Sequence, residues 1–306
     1  MAQAVQFDHY GELDVLDVRE VPDPRPGAGQ VAVDVVAAGI NPGESKIRAG
    51  ALHERWPATF PSGQGSDFAG RIAELGAGVS GLAVGDEVLG FSEERSSHAT
   101  RVVVPAEQVA RKPEAVSWEV AGSLFVAGTT AFAAVRSVGP EAGETIAVSG
   151  AAGGVGLIVV QLLRHRGVTV IGIAGPSNQE YLRELGVTAV EYGDGLADRI
   201  RALAPGGVDA FIDTHGNGYV ELALSLGVRA DRIDTIIDFA AAAEHGVKTD
   251  GNAAANTIDV LAELADLVAA GRLSVPIAAT YPLSEVRAAF AELERGHTRG
   301  KIVLTP

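Results

Sequence analysis

The stretch TIAVSGAAGGVG, residues 145–156, runs from an apolar strand through a glycine-rich turn into the apolar residues 157–163. Gly153 would let the backbone approach a pyrophosphate, and Gly156 would let the following helix pack closely against the strand. The helix N-terminus would add amide donors and the positive end of its dipole. We therefore predict a dinucleotide phosphate loop formed by Ala152, Gly153, Gly154, Val155 and Gly156. An ordinary strand-to-helix turn remains the alternative, because Ala151 occupies the first position of the GxGxxG pattern.

The segments around this loop predict an α/β protein. Strand candidates alternate with helical stretches at residues 145–149, 169–174, 188–192, 208–213 and 233–239. This alternation favours a doubly wound parallel sheet, a Rossmann domain, with helices on both faces. Residues 3–112 instead consist of short apolar runs separated by turn clusters, which is typical of a small β-barrel or sandwich. After a possible Asn256 helix cap, residues 273–281 look extended again and residues 301–305 form a final strand.

Composition excludes several classes of function. The chain has 306 residues and a formal net charge of −15, with no cluster of basic residues, so nucleic acid and anionic membranes are poor partners. It has no cysteine, which excludes disulfides, thiolate nucleophiles and cysteine-liganded zinc. No stretch approaches the roughly 20 apolar residues that a membrane span needs. We expect a soluble cytoplasmic protein.

The turn after the second strand of the parallel sheet bears on cofactor choice. NAD-binding proteins usually place a carboxylate there, and this turn reads Ile173-Ala174-Gly175-Pro176-Ser177-Asn178 with no acid until Glu180. Nothing in the turn would repel a 2′-phosphate, and no Lys or Arg attracts one. Ser177 could bind phosphate, or it could open a capping box with Glu180.

Several segments together resemble one family. They are GINPGESKIRAG at 39–50, GSDFAG at 65–70, VGDEV at 84–88, AGTTA at 127–131, the loop at 151–156 and RGKIVL at 299–304. In this order and spacing they resemble the quinone oxidoreductase (ζ-crystallin-like) branch of the medium-chain dehydrogenase/reductase superfamily. Zinc alcohol dehydrogenases of that superfamily carry Cys where this chain has Asn41, and Gly-His-Glu where it has Gly65-Ser66-Asp67. The resemblance therefore implies a zinc-independent enzyme.

The resemblance also implies an architecture and a reaction. A GroES-like catalytic domain would comprise residues 1–118, a Rossmann domain residues 119–256, and residues 257–306 would return to the catalytic domain. NADPH, bound in the cleft between the domains, would donate hydride to a quinone, an enone or a similar activated double bond. Homodimers are common in the family.

Matching positions give candidate site residues. Catalytic candidates are Asn41 and Lys46. Cofactor contacts outside the phosphate loop are implied for Asn41, Thr129, Gly175, Ser177, Asn178, Tyr192, Asn217, Ile237, Phe239, Ala240, Arg299 and Lys301. His215 departs from the family pattern, because an apolar residue is expected there.

Each catalytic or substrate candidate has a simpler interpretation. Asn41 could hold the acceptor or the nicotinamide ribose, or it could only fix the Asn41-Pro42 turn. Lys46 could polarise an oxyanion or be merely solvated. The loop at residues 51–61 could pack a flat substrate against His53, Trp56 and Phe60, or these could be simple packing. His98, His165 and His245 show no ligand spacing and are expected on solvated or packed surfaces.

Three functions follow from these observations. The first is an NADPH-dependent reductase of quinones or enones. The second is an NADPH-binding structural or regulatory protein with little turnover, since no residue is an unmistakable general acid or base. The third is an enoyl reductase that serves one biosynthetic pathway.

Overall fold

The computed structural model describes all 306 residues and divides them into two compact units. The first unit comprises residues 1–126 and 257–306, and the second comprises residues 127–256. The strands are β1 Ala2–Phe7, β2 Asp17–Val21, β3 Gln30–Gly39, β4 Ser62–Gly63, β5 Asp67–Leu75, β6 Glu87–Phe91, β7 Arg101–Pro105, β8 Val109–Arg111, β9 Thr145–Val148, β10 Thr169–Ala174, β11 Thr188–Glu191, β12 Ala210–Asp213, β13 Ile233–Thr235, β14 Ile277–Pro282 and β15 Lys301–Thr305. The helices are α1 Pro42–Arg48, α2 Trp118–Ala121, α3 Phe125–Val138, α4 Gly154–His165, α5 Gln179–Glu184, α6 Leu196–Leu203, α7 Tyr219–Ser225, α8 Phe239–His245, α9 Ile258–Ala269 and α10 Val286–Glu294. None of the helices is both long enough and apolar enough to span a bilayer.

The first unit is built on sheets that are almost entirely antiparallel. Three strands pair in the order β2-β1-β4, and seven belong to a second sheet in which β3 pairs with β5, β7 and β15. Strand β3 can lie centrally because most of its residues are buried, with Val31, Val33 and Phe68 of β5 in one hydrophobic cluster. Strand β15 pairs with the end of β3 through Val303 and Gly39. This pairing brings the last strand of the chain beside the segment that leads into α1.

The second unit holds a five-stranded parallel sheet. Its order is β11-β10-β9-β12-β13, so the chain proceeds to one side of β9 and then returns to the other side. Apolar residues such as Ile171, Phe211 and Ile233 fill the core between sheet and helices. In sheets of this kind ligands bind outside the carboxyl ends of the strands, where the strand order reverses. Here that position lies after β9 and β12.

Four local predictions are wrong for identifiable reasons. The strand expected over residues 233–239 ends at Thr235, because Asp238 caps α8 by accepting a hydrogen bond from the Ala241 amide. Helix α9 is capped by the Thr257 side chain and not by Asn256. Ser177 opens no capping box, because it lies within a 3-10 turn, Pro176–Asn178, that precedes α5. The extended segment expected over residues 273–281 begins only at Ile277.

Candidate functional site

The phosphate loop connects the end of β9 to the start of α4. Gly153 is the N-cap of α4 and Gly150 has a φ of +58°. A Cβ on Gly156 would lie 2.2 Å from the Gly150 carbonyl oxygen, so the tight turn requires glycine there. A Cβ on Gly153 would meet only that oxygen, at 3.3 Å, which leaves the helix N-terminus open on that side. The first-turn amides, at Gly154 and its neighbours, have no carbonyl partner within a helix. These amides could donate hydrogen bonds to the oxygens of a pyrophosphate.

A buried aspartate ties the loop to the neighbouring strand. The Ser149 hydroxyl donates to Asp213 Oδ1 over 2.5 Å and accepts a hydrogen bond from the Thr214 amide over 3.0 Å. Asp213 is fully buried at the end of β12, and its other oxygen accepts from the Thr235 hydroxyl over 2.8 Å. The carboxyl ends of β9, β12 and β13 are therefore fixed by one carboxylate. Sequence reasoning did not identify this role, although an acid at the end of an apolar strand is its visible signal.

Four of the cofactor candidates, Gly175, Ser177, Asn178 and Tyr192, lie at the carboxyl ends of β10 and β11. A Cβ on Gly175 would touch the Tyr192 ring at 3.4 Å, so these two residues are neighbours. Tyr192 is 53% exposed, Ser177 is exposed and Asn178 is half-buried. Gly175 to Asn178 contain no carboxylate. The turn therefore brings no negative charge to the place where a ribose would lie.

The remaining cofactor candidates of the second unit are more dispersed. Asn217 is exposed and left-handed, with a φ of +60°. Ile237 is half-buried and lies near Gly216, while Phe239 is half-buried and Ala240 exposed at the start of α8. Thr129 is fully buried, and its hydroxyl oxygen accepts a hydrogen bond from the Asn252 side chain over 2.6 Å.

In the first unit, five side chains form a buried polar cluster: Asn41, Glu44, Asp67, His98 and Lys301. Asn41 caps α1 in a capping box, with its backbone amide donating to Glu44 over 2.9 Å. Its side-chain amide donates to Glu44 over 3.2 Å and to Asp67 over 3.1 Å. The Lys301 ammonium donates to Asn41 Oδ1 and to the Ile40 carbonyl oxygen, and lies 3.8 Å from Asp67. Both hydrogens of the Asn41 amide are thus committed inside the protein.

Burial controls the electrostatics of this cluster. It raises the pKa of Glu44 to about 7 against the hydrogen bonds from Asn41, and raises the pKa of Asp67 to about 6 against the nearby Lys301 charge. It lowers the pKa of Lys301, and it lowers that of His98 to about 4. Because the Gly39 carbonyl oxygen can only accept, His98 carries its proton on Nε2, which lies 3.1 Å from that oxygen. Near neutral pH the His98 imidazole is therefore neutral, and part of the carboxyl population of Glu44 is protonated.

These contacts change three interpretations of the sequence. Asn41 does more than fix a turn, yet it has no amide hydrogen left to polarise an acceptor. Lys301 is only 4% exposed and is held within the first unit, so it does not extend outward over a cofactor, whereas Arg299 is exposed. His98 does not lie on a surface and is buried within the cluster.

The cluster does not resemble a zinc site. Asn41 and Ser66 stand where zinc dehydrogenases have Cys and His, and the oxygens of Glu44 already accept hydrogen bonds from the Asn41 and Ser66 amides. No group of three His, Cys, Asp or Glu side chains in the chain has a metal-binding arrangement. Sequence reasoning missed Glu44 and Asp67, although the Asn41-x-x-Glu44 spacing of a capping box is a readable signal.

The substrate candidates lie in an aromatic group. The Tyr10 hydroxyl lies 2.7 Å from His53 Nδ1, and the Tyr10 ring meets Phe60 edge-on at 5.0 Å. Trp56 is paired separately with the Arg55 guanidinium. Lys46 is half-buried on α1. His53 and Phe60 therefore come together, and both have a packing role.

Two family models match the chain. Residues 27–114 match the alcohol dehydrogenase GroES-like domain, and residues 185–304 match the zinc-binding dehydrogenase family. The chain is 36% identical over 214 residues to the synaptic vesicle membrane protein VAT-1 homolog of Rattus norvegicus, covering 69% of this chain and 52% of that protein. It thus spans about half the length of that relative.

Other relatives match over more of their length. Identity to the quinone oxidoreductase of Mus musculus is 30% over 243 residues, covering 79% of this chain and 67% of the relative. The chain is 29% identical to the 2-methylene-furan-3-one reductase of Solanum lycopersicum, and the match covers 99% of this chain and 79% of that protein.

Solved structures agree with these relatives. The quinone oxidoreductase of Coxiella burnetii superposes with a TM-score of 0.87 at 30% identity, covering 100% of this chain and 99% of that one. The Escherichia coli quinone oxidoreductase complexed with NADPH superposes with a TM-score of 0.89 at 25% identity, covering 99% and 100%. The α/β fold, with a GroES-like domain and a Rossmann-like parallel sheet, is the one that the sequence predicted. The chain therefore belongs to the zinc-independent quinone oxidoreductase family of the medium-chain dehydrogenase/reductase superfamily.

Proposed function

We propose that this protein is an NADPH-dependent reductase that transfers hydride to a quinone, an enone or a similarly activated double bond. The observation that carries the proposal is the open helix N-terminus at Gly153, beside a turn that only glycine at position 156 permits. Relatives named as a quinone oxidoreductase and as a 2-methylene-furan-3-one reductase support the class of acceptor.

The preference for NADPH rests on the turn after β10. Gly175, Ser177 and Asn178 bring no carboxylate to the ribose, and the exposed Ser177 hydroxyl has no capping role. A carboxylate there would repel a 2′-phosphate and bind the ribose hydroxyl of NAD instead. The related Escherichia coli enzyme was solved with NADPH.

When bound, NADPH supplies the hydride. The protein has to bind the cofactor, orient it relative to the acceptor and exclude water from the reacting groups. The phosphate loop would hold the pyrophosphate through the first-turn amides of α4. On the family resemblance, Asn41 remains the candidate for holding the nicotinamide ribose. In the first unit its Oδ1 accepts a hydrogen bond from Lys301, and its side-chain amide donates to Glu44 and Asp67. Lys46 is the candidate for stabilising a developing oxyanion, since Asn41 has no hydrogen to donate to it.

One observation favours a second function. Because the Asn41 amide hydrogens and the Lys301 ammonium are committed internally, the chain could bind NADPH with little turnover, as a structural or regulatory protein. Steady-state oxidation of NADPH, followed at 340 nm with a panel of quinones and enones, separates the two. Acceptor-dependent oxidation supports the reductase, and saturable NADPH binding without oxidation across the panel supports the binding protein. A reductase active on a single enoyl class would indicate a pathway-specific enzyme.

We further propose a homodimer, on the basis of the family resemblance. Light scattering coupled to gel filtration tests it directly. A mass near twice the 31.4 kDa of one chain supports the dimer, and a mass of one chain contradicts it.

A further inference from the structure

His215 lies directly against the phosphate loop. It follows β12 at the point where the strand order of the parallel sheet reverses. A Cβ on Gly150, the first glycine of the loop, would lie 3.5 Å from the His215 Cβ atom. The residue is exposed, so it is not a member of the core.

One further aromatic ring packs against His215. The His215 ring meets Tyr219 edge-on, with centroids 5.8 Å apart. The Tyr219 ring also lies 6.3 Å from the buried Phe211 ring of β12. Tyr219 therefore supports His215 from the side of the core.

The backbone holds His215 in a fixed position. The amides of His215 and Gly216 both donate to Asp213 Oδ1, over 3.0 and 2.9 Å. The next residues, Gly216, Asn217 and Gly218, all have φ values between +60° and +84°, which turns the chain sharply into α7. A buried carboxylate thus anchors the residue while its ring stays exposed beside the loop.

We propose that His215, supported by Tyr219, forms an aromatic wall of the adenine subsite. This inference rests on the proposed function, because it needs a dinucleotide in the phosphate loop. An adenine has an apolar π-face that stacks on aromatic side chains. The His215 ring can offer such a stacking surface, because it is exposed, its backbone is held by Asp213, and it lies next to the phosphate loop. The proposed contact is with the base, which NADPH and NADH share, because stacking on a ring is independent of any phosphate and needs only a π-face.

The test compares His215→Ala and His215→Phe with the wild-type chain by calorimetric titration of NADPH, NADH and ADP-ribose. We expect His215→Ala to raise all three Kd values by the same factor, about 5- to 150-fold, the usual range for one base–aromatic contact. His215→Phe should keep each Kd within about threefold of the wild type, because stacking needs a ring and not a charge. His245→Ala, a partly exposed histidine of the same unit that pairs with Glu221, is the matched control and should change none of them.

Three results would overturn the inference. The first is that His215→Ala leaves the Kd values unchanged. The second is that it weakens the binding of NADPH alone, which would indicate a contact with the 2′-phosphate. The third is that His215→Phe weakens binding as much as His215→Ala does. A thermal denaturation curve of each variant shows that it is folded. If the wild-type chain binds none of the three ligands, the proposed function fails, which is a separate outcome from failure of the aromatic wall alone.

Discussion

Lys301 supplies the one ammonium group in the buried polar cluster, so Lys301→Met tests how that cluster is held. The substitution keeps an apolar side chain of similar length but removes the donor to the Ile40 carbonyl and to Asn41 Oδ1. It also removes the cation that lies 3.8 Å from Asp67. Two acceptors and a carboxylate would then be buried without their partner.

The size of the effect follows from burial. Removing one partner of a buried ion pair costs about 3 to 5 kcal/mol, because the other charge stays desolvated. The cost should depend on pH. Burial already raises the pKa of Asp67 to about 6 and that of Glu44 to about 7, and loss of the Lys301 charge raises both further. Below about pH 5 both carboxyls of the folded variant are protonated and the cost is small, whereas at pH 8 it is close to its full value.

Urea denaturation followed by circular dichroism at pH 5 and pH 8 measures this difference. We expect Lys301→Met to lose about 3 to 5 kcal/mol at pH 8 and clearly less at pH 5. Lys46→Met, on the half-buried face of α1, is the control and should stay within about 0.5 kcal/mol of the wild type. A loss that is equal at both pH values would refute the reasoning.

Two further predictions concern the second unit. Gly156→Ala places a Cβ 2.2 Å from the Gly150 carbonyl oxygen. We expect it to cost about 1 to 3 kcal/mol of stability in thermal denaturation and to weaken NADPH binding about tenfold or more in a fluorescence titration. An unchanged melting temperature would contradict the tight turn. Burial raises the pKa of Asp234 to about 7, so the folded state binds a proton more readily than the unfolded chain and stability falls as pH rises from about 4 to about 7. Asp234→Asn should remove this fall, on the order of 3 kcal/mol, in urea denaturation at pH 4.5 and 8, and an unchanged pH dependence would contradict it.

The parallel sheet and the phosphate loop could be predicted because their signals are local. Glycine spacing and the apolar strand at residues 145–148 are read within a dozen residues, and β9 and α4 lie where they predict. The predictions that were wrong concern the residues at which helices begin, because side-chain hydrogen bonds and short turns determine where a helix starts. Asp238 ended the predicted strand early, and the 3-10 turn over Pro176–Asn178 removed the capping role of Ser177.

The buried polar cluster could not be predicted from local patterns. Lys301 meets Asn41 across 260 residues of sequence, and this contact exists only because β15 pairs with β3. The sequence motifs suggested that Asn41 and Lys301 both matter, but not that they bind one another. The hydrogen bond from Ser149 to Asp213 is similar, because it joins β9 to β12 across 64 residues of sequence.

The central claim is that the amides exposed where α4 begins hold a dinucleotide pyrophosphate. Titration of NADPH fluorescence with the wild-type chain and with Gly153→Val tests it most directly, since Gly153 has an ordinary φ of −77° and a Cβ there meets only the Gly150 carbonyl oxygen, at 3.3 Å. We predict saturable binding of one NADPH per chain to the wild type and a loss of about tenfold or more in a variant that melts normally. Equal affinity in the two proteins, or no saturable binding to the wild type, would contradict the account.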